Sequence, residues 1–182
     1  MDPKMRPTGW GKIDGKSMWK IHDHSGETEY VDPEAYTRLQ MMNKYLQSIG
    51  VAPIGTSDGG RTHAEQHSMV ASGRFPVIAK PGRSNHEVGA HKINGGAAAL
   101  DINWAGVARK DRAAVQRAFD MFGFNQLDHL GDPVHLDMRP NRPSLESLND
   151  KYIHIKLEVN GNKVSSFKEP IHSVKNGGAK YG

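Results

Sequence analysis

Between Pro33 and Ile49 the apolar positions Tyr36, Leu39, Met42, Leu46 and Ile49 fall three or four residues apart, the spacing of one helix face. Asp32 stands where an N-cap belongs, Pro33 occupies the first helical position and Gly50 ends the element. A second helix is expected over 62–72, ended by Gly73. A third is expected over 107–122, with Val115, Ala118, Phe119 and Phe122 turned inward and Gly123 as its cap. Strand signals are shorter. Val51 to Ile54 is an apolar run, and Asp58-Gly59-Gly60 reads as a turn. Ala98 to Trp104 reads as a buried strand that carries one acid, and Pro133 to Met138 as another strand. Tyr152 to Val159 alternates, and Asn160-Gly161 then turns the chain toward a hairpin with 163–167. Residues 1–31 are rich in Gly, Pro, Lys and Asp and read as an irregular extension, anchored by Trp10 and Trp19. Residues 73–97 read as loops, 140–150 as a boundary and the tail from Ser173 as disordered. The layout expected is an N-terminal extension (1–31), a main domain (32–150) and a C-terminal hairpin with its tail (151–182). The fold class is α+β: a small antiparallel sheet flanked by helices, with a metal cleft across it.

Composition narrows this further. A chain of 182 residues suits one domain, and 36% apolar residues, a mean hydropathy of −0.65 and 20 glycines favour a compact core with many loops over a helical bundle. There is no cysteine, which excludes disulfides and thiolate metal sites. Any transition-metal site must therefore draw on His, Asp and Glu, and the chain has ten histidines. The first residues, Met-Asp-Pro-Lys-Met-Arg-Pro, lead into no apolar stretch, so synthesis in the cytoplasm without a secretory leader is expected. No run approaches the roughly 20 apolar residues of a membrane helix, so no membrane insertion is expected. A formal charge of +4 and a pI of about 9.3 suit an anionic bacterial envelope as well as nucleic acid. No Lys/Arg block with interleaved aromatics occurs, so a nucleic-acid partner is not expected. A monomer is.

Three segments carry the candidate chemistry: Ser84-Asn85-His86-Glu87-Val88-Gly89, Ala99-Leu100-Asp101, and Asp132-Pro133-Val134-His135-Leu136-Asp137. An acid among Ala97, Ala98, Ala99, Leu100 and Ile102 is costly to bury as a lone ion and calls for a cation. Two histidines and one carboxylate around zinc leave a fourth position for water. Zinc lowers that water's pKa toward ~7, and a nearby carboxylate must then carry its proton to the leaving amine. Asp132, three residues before His135, is the candidate for that work.

The order Ser-x-His-x-x-Gly, Ala-x-Asp, Asp-x-x-His resembles the zinc peptidases that group D-alanyl-D-alanine carboxypeptidases, phage L-alanyl-D-glutamate endopeptidases and Hedgehog-type domains. Gly60-Arg61-Thr62 with the following Gln66 resembles that family's upstream Gly-x-Arg-Ser/Thr segment. The resemblance spans roughly residues 35–138. It implies His86, Asp101 and His135 as zinc ligands and Asp132 as general base. It also implies Arg61 as a catalytic and substrate-binding residue that would hold a substrate carboxylate, which a planar guanidinium suits, or polarise the scissile carbonyl, with Gln66 and Ser84 beside it at the substrate. Two features depart from the family. His86 and Asp101 are fifteen residues apart where the family usually has seven, and the additional stretch, approximately Ala90 to Ala97, contains His91 as an alternative ligand. The residue before Arg61 is Gly60 where an aromatic is frequent.

Other readings of the same residues stand beside these. Asp132 also suits a turn before Pro133, Arg61 a solvated helix start, and Ser84 ordinary loop chemistry. Asp137, on the same strand face as His135, is a candidate to orient that ligand. His63 and His67 lie four apart on a helix, but Ala64 stands where the helical zinc-protease motif needs Glu, so they read as ordinary helix residues. His22-Asp23-His24 reads as solvated loop. The expected activity is zinc-dependent hydrolysis of an amide bond in the peptidoglycan stem peptide, by an endolysin-type L-alanyl-D-glutamate endopeptidase acting on the cell wall after release or from a virion. The alternatives are a D-alanyl-D-alanine carboxypeptidase and a non-catalytic zinc-containing virion or envelope-binding protein.

Overall fold

The computed structural model describes residues 9–23, 25–75, 78–88, 99–127, 132–153, 156–159, 162–163 and 173–175. The fold is α+β, and among the described residues its strands form three antiparallel sheets. Strands β1 (Gly9–Ile13), β2 (Lys16–His22) and β3 (Thr28–Val31) make a meander in that order. Strands β4 (Gly55–Asp58), β5 (Ala99–Asn103), β6 (Phe124–Leu127) and β7 (Asp132–Met138) form the central sheet, ordered β4-β5-β7-β6. Strands β8 (Lys156–Val159), β9 (Asn162–Lys163) and β10 (Ser173–Lys175) make a small third sheet. The helices are α1 (Pro33–Ser48), α2 (His63–Ser72), α3 (Arg112–Met121) and the single turn α4 (Leu145–Leu148). No described helix is long and apolar enough to cross a membrane.

The central sheet sorts its side chains by strand alternation. Leu100 pairs with Leu136 and Phe124 with Met138, and these four, with Ile102, enter the main core beside Leu39, Met42, Val115 and Phe119. The intervening residues Asp101, His135 and Asp137 therefore share the opposite face. Asp101 is thus not embedded in the apolar run around it. It is half-buried on the second face of the sheet, and its greasy neighbours Leu100 and Ile102 point away from it.

Helix α1 begins as expected, with the Asp32 carboxylate accepting the amides of Glu34 and Ala35. It ends at Ser48, and Ile49 is exposed rather than part of the apolar stripe. Helix α3 starts at Arg112, later than expected, because a 3-10 turn takes up Arg109–Asp111. The apolar stretch Val51–Ile54 is not a strand. Asn43 of α1 replaces a strand partner there: Ile54 N–H donates to its Oδ1 (2.8 Å) and its Nδ2 donates to Ile54 O (2.9 Å).

Residues 9–31 are a sheet rather than an irregular extension. Trp10 and Trp19 do anchor it, stacked at 4.5 Å with Trp19 in the main core. The stretch 140–150 is not a boundary either. Leu145, Leu148 and Ile153 are core residues, and Tyr152 packs against Tyr45 and Phe122. Beyond it, β8 pairs with β9 as the expected hairpin, starting one residue before the expected partner 163–167. Ser173–Lys175, expected to be disordered, pairs with β8 instead. The rest of the tail, His24, Gly89 and the stretch with His91 lie outside the described residues.

A buried ionic knot joins α1 to the segment after β7. Glu34 Oε1 accepts from Arg38 Nε (3.0 Å), Arg38 Nη2 (2.9 Å) and Arg142 Nε (2.6 Å), and Arg142 Nη2 donates to Glu34 Oε2 (2.8 Å). Arg38 also donates to the carbonyls of Phe122 and Pro143. Each charge has its partners, which burial demands.

Candidate metal centre

Register builds half of the site. Asp101 on β5 lies directly opposite His135 on β7, and Asp58 on β4 lies opposite Asp101, so three side chains stand in one row across three strands. His86 comes from a loop, held by backbone rather than by a strand of its own. Arg61 N–H donates to His86 O (2.8 Å) and Val88 N–H donates to Arg61 O (3.0 Å), a short parallel bridge that brings the loop alongside the chain following β4. Ser84 supports that loop: its Oγ accepts the His86 amide (3.3 Å), and the residue is buried. The meander forms the other wall. Gly60 N–H donates to Tyr30 O of β3, and a Cβ on Gly59 would lie 2.2 Å from that same oxygen, so only glycine fits there.

The result is a cluster of His86, Asp101 and His135. His86 Nε2 lies 2.9 Å from His135 Nδ1 and 3.0 Å from Asp101 Oδ1, and His135 Nδ1 lies 3.3 Å from the same carboxylate oxygen. The outer nitrogens fix what the inner ones carry. His86 Nδ1 lies 2.7 Å from Gly59 O, and a carbonyl can only accept, so Nδ1 carries the proton. His135 Nε2 lies 2.9 Å from Asp137 Oδ1, and by the same logic it donates to that carboxylate. Both inner nitrogens of the neutral rings are then bare lone pairs, and they face a carboxylate oxygen that is buried and receives no well-formed hydrogen bond. Three acceptors aimed at one point require a positive charge between them.

Either a proton or a metal ion meets that need. Burial works to lower the His135 pKa, but hydrogen bonding to Asp101 and Asp137 outweighs it and lifts the imidazole to about 9. Burial works to raise Asp101, yet its two histidine partners hold the carboxyl well below the usual range. A divalent ion competes with the proton for the same lone pairs. Atoms bound about 2.0–2.1 Å from a tetrahedral zinc ion stand about 3.3 Å apart, close to the separations here. The donor set, two imidazoles and one carboxylate with no thiolate, also fits zinc.

Arg61 stands at the edge of this cluster. It is held by Asp58 through Nε (3.0 Å) and Nη2, and Nη1 donates to Gln66 Oε1 (3.2 Å). Its Nη2 lies 3.8 Å from Asp101 Oδ2. Gln66 is fully buried, and its Nε2 donates to Ala79 O (2.7 Å), so it acts on Arg61 rather than facing solvent. Helix α2 that carries Gln66 starts with a capping box of Thr62 and Glu65. His63 on the same helix pairs with the buried Glu87, whose other oxygen accepts the Gly82 amide (2.7 Å). Neither His63 nor His67 belongs to the metal cluster.

Asp132 is placed differently from the ligands. It is half-buried at the start of β7, and pairing jumps from Leu127↔Asp132 to Gln126↔Leu136, so Pro133 to His135 bulge out between them. Trp104 and Gln126 side chains fasten that bulge by donating to Pro133 O (3.0 and 2.6 Å). Among the described residues no hydrogen bond or ion pair joins Asp132 to the three ligands.

Three contributors went unseen in the sequence. Asp58 carries a turn signal, with Gly59 and Gly60, that masks its pairing with Arg61 three residues on. Asn85 was the unread middle of Ser-x-His, and it donates to Asp137 Oδ1 (2.7 Å). Glu29 of β3 gave no signal at all. Burial, then repulsion from Asp58 and Asp23, raises its pKa to about 7, against the pull of Gly59 N–H and Arg61. A folded value above the ordinary one means that ionisation costs stability. The cost is absent below pH ~4.5 and complete above ~7. Glu29→Gln is therefore expected to raise stability at pH 8 by about 1–2 kcal/mol, after allowance for solvent screening, and to change little at pH 4.5. Urea unfolding at the two pH values measures this, and equal shifts at both would contradict it.

Compared with known proteins, the chain matches no family model, no curated protein and no solved structure.

Proposed function

We propose that the chain is a zinc peptidase that hydrolyses an amide bond in the stem peptide of bacterial peptidoglycan. The observation that carries the reading is the convergence of two imidazole nitrogens and a buried carboxylate oxygen on one point, reached from the loop before Val88 and from two adjacent strands. The order of motifs around these residues, with its resemblance to the zinc peptidases, supports the reaction class.

In this reading His86, Asp101 and His135 hold zinc, which supplies Lewis acidity toward a water molecule and the scissile carbonyl. Asp132 accepts a proton from that water and delivers it to the leaving amine. Arg61 stabilises negative charge developing on the carbonyl oxygen, and Asp58 and Gln66 fix its direction beforehand. The small basic chain and the Asp132-x-x-His135 spacing resemble the phage endopeptidases more closely. We therefore favour the L-alanyl-D-glutamate endopeptidase over the D-alanyl-D-alanine carboxypeptidase.

Incubation with purified muropeptides tests the substrate. Fragments cut within the stem are expected, whereas free D-alanine as the sole product would reverse the choice. Asp132→Asn tests the mechanism. It is expected to keep stoichiometric zinc and to lose at least about a hundredfold in hydrolysis rate. Wild-type turnover in that variant would remove Asp132 from the reaction. Zinc binding with no hydrolysis of any muropeptide by the wild type would leave a non-catalytic envelope-binding protein.

A further inference from the structure

A metal ligand with two ring nitrogens needs one of them committed before the other is dependable. His135 has that commitment. Its Nε2 donates to Asp137 Oδ1 at 2.9 Å, two residues along the same face of β7, while Nδ1 faces His86 and Asp101. Asp137 is itself held. Asn85 Nδ2 donates to the same oxygen at 2.7 Å. Asn85 immediately precedes His86, so this one carboxylate oxygen ties the strand that carries one ligand to the loop that carries another. The link spans 52 residues of sequence, and among the described residues it is the side-chain hydrogen bond that joins those two segments outside the ligands themselves.

We propose that Asp137, fastened by Asn85, is a positioning residue for the metal centre: it fixes the tautomer and ring direction of His135 and sets the distance between the His86 loop and β7. A carboxylate behind a ligating imidazole also makes its lone pair more basic, which tightens the metal bond. The inference rests on the metal-binding part of the reading above and not on peptide hydrolysis.

Zinc affinity, measured on the full chain by competition with a chromogenic chelator, tests it. Asp137→Ala is expected to weaken zinc binding ten- to hundredfold. Asp137→Asn keeps an oxygen that accepts from Nε2 and is expected to restore part of that loss. Asn85→Ala is expected to weaken binding by a smaller factor in the same direction. With cobalt in place of zinc, the visible absorption bands of Asp137→Ala should shift, because the ring direction changes the ligand field. The melting temperature of each metal-free variant is measured alongside. Wild-type zinc affinity in Asp137→Ala would overturn the proposal. So would a fall in metal-free melting temperature with no recovery of affinity in Asp137→Asn, since the residue would then be serving the fold. If the wild-type chain itself bound no stoichiometric zinc, the metal reading would fail together with this inference. Tight wild-type binding with an indifferent Asp137 would sink this inference alone.

Discussion

Asp101→Ala is expected to abolish stoichiometric zinc binding and also to cost the metal-free protein some stability at pH 7, because the carboxylate is paired there with His86 and His135. The fold itself is expected to survive because of where the carboxylate sits. Its neighbours Leu100 and Ile102 build the core from the other face of β5, so removing the acid opens no cavity among them. Its loss does remove the partner of His135, whose imidazole it helps to keep protonated in the metal-free protein, so the stability cost should fade as pH rises past about 9. The metal loses its one anionic ligand, however, and the remaining imidazoles are both neutral when ready to bind. The fall in affinity should exceed the ten- to hundredfold expected for an outer partner such as Asp137. In the wild type, zinc at a thousand times its dissociation constant adds about 4 kcal/mol of stability. Thermal unfolding with and without zinc should show that increment in the wild type and none in the variant. A variant that retained one zinc per chain and the same thermal shift would place the metal elsewhere.

The second large effect concerns the fold alone. Glu34→Ala is expected to destabilise the protein by about 3–5 kcal/mol, because it leaves two guanidinium groups without their shared carboxylate. Arg38 is 2% exposed and has no route to solvent without disturbing the Phe122 and Pro143 carbonyls it holds. Burial would raise the Glu34 pKa, but Arg142 and Arg38 hold it below the ordinary value. Its contribution is therefore present above the unfolded-state pKa and is lost as pH falls through the folded one. Urea titration at pH 7 measures the size. A loss below 1 kcal/mol would mean that water reaches the two arginines readily.

What the sequence made legible was whatever local chemistry decides. Asp32 with Pro33 marks the start of α1, and Gly73 at φ 62° marks the end of α2. The face shared by His135 and Asp137 followed from alternation, and the α+β class from the mixture of periods. The meander was hidden because β2 is covered on both sides: Met18 packs with Ile13 and Val88, while Trp19 and Ile21 enter the main core. Alternation therefore disappears along it. Strand β4 reads Gly-Thr-Ser-Asp, without one apolar residue, and it exists through its pairing with β5. The Glu34–Arg142 link joins residues 108 apart, which no local pattern announces. In the site, the three proposed ligands were legible as residue types in order. Their supports Asn85 and Gly59 were not, since each works through a partner distant in the chain, and Asp58, three residues before its partner Arg61, is masked by the turn signal around it.

The arrangement of His86 has a consequence for how such a protein tolerates insertion. Its position comes from backbone bonding to Arg61, and Asp101 is placed by its rung with His135. Neither depends on the number of residues that run between Val88 and Ala99. Two separate backbone devices, the Arg61 bridge and the β5–β7 rung, therefore hold the three side chains together, and a change in one segment need not be matched in the other.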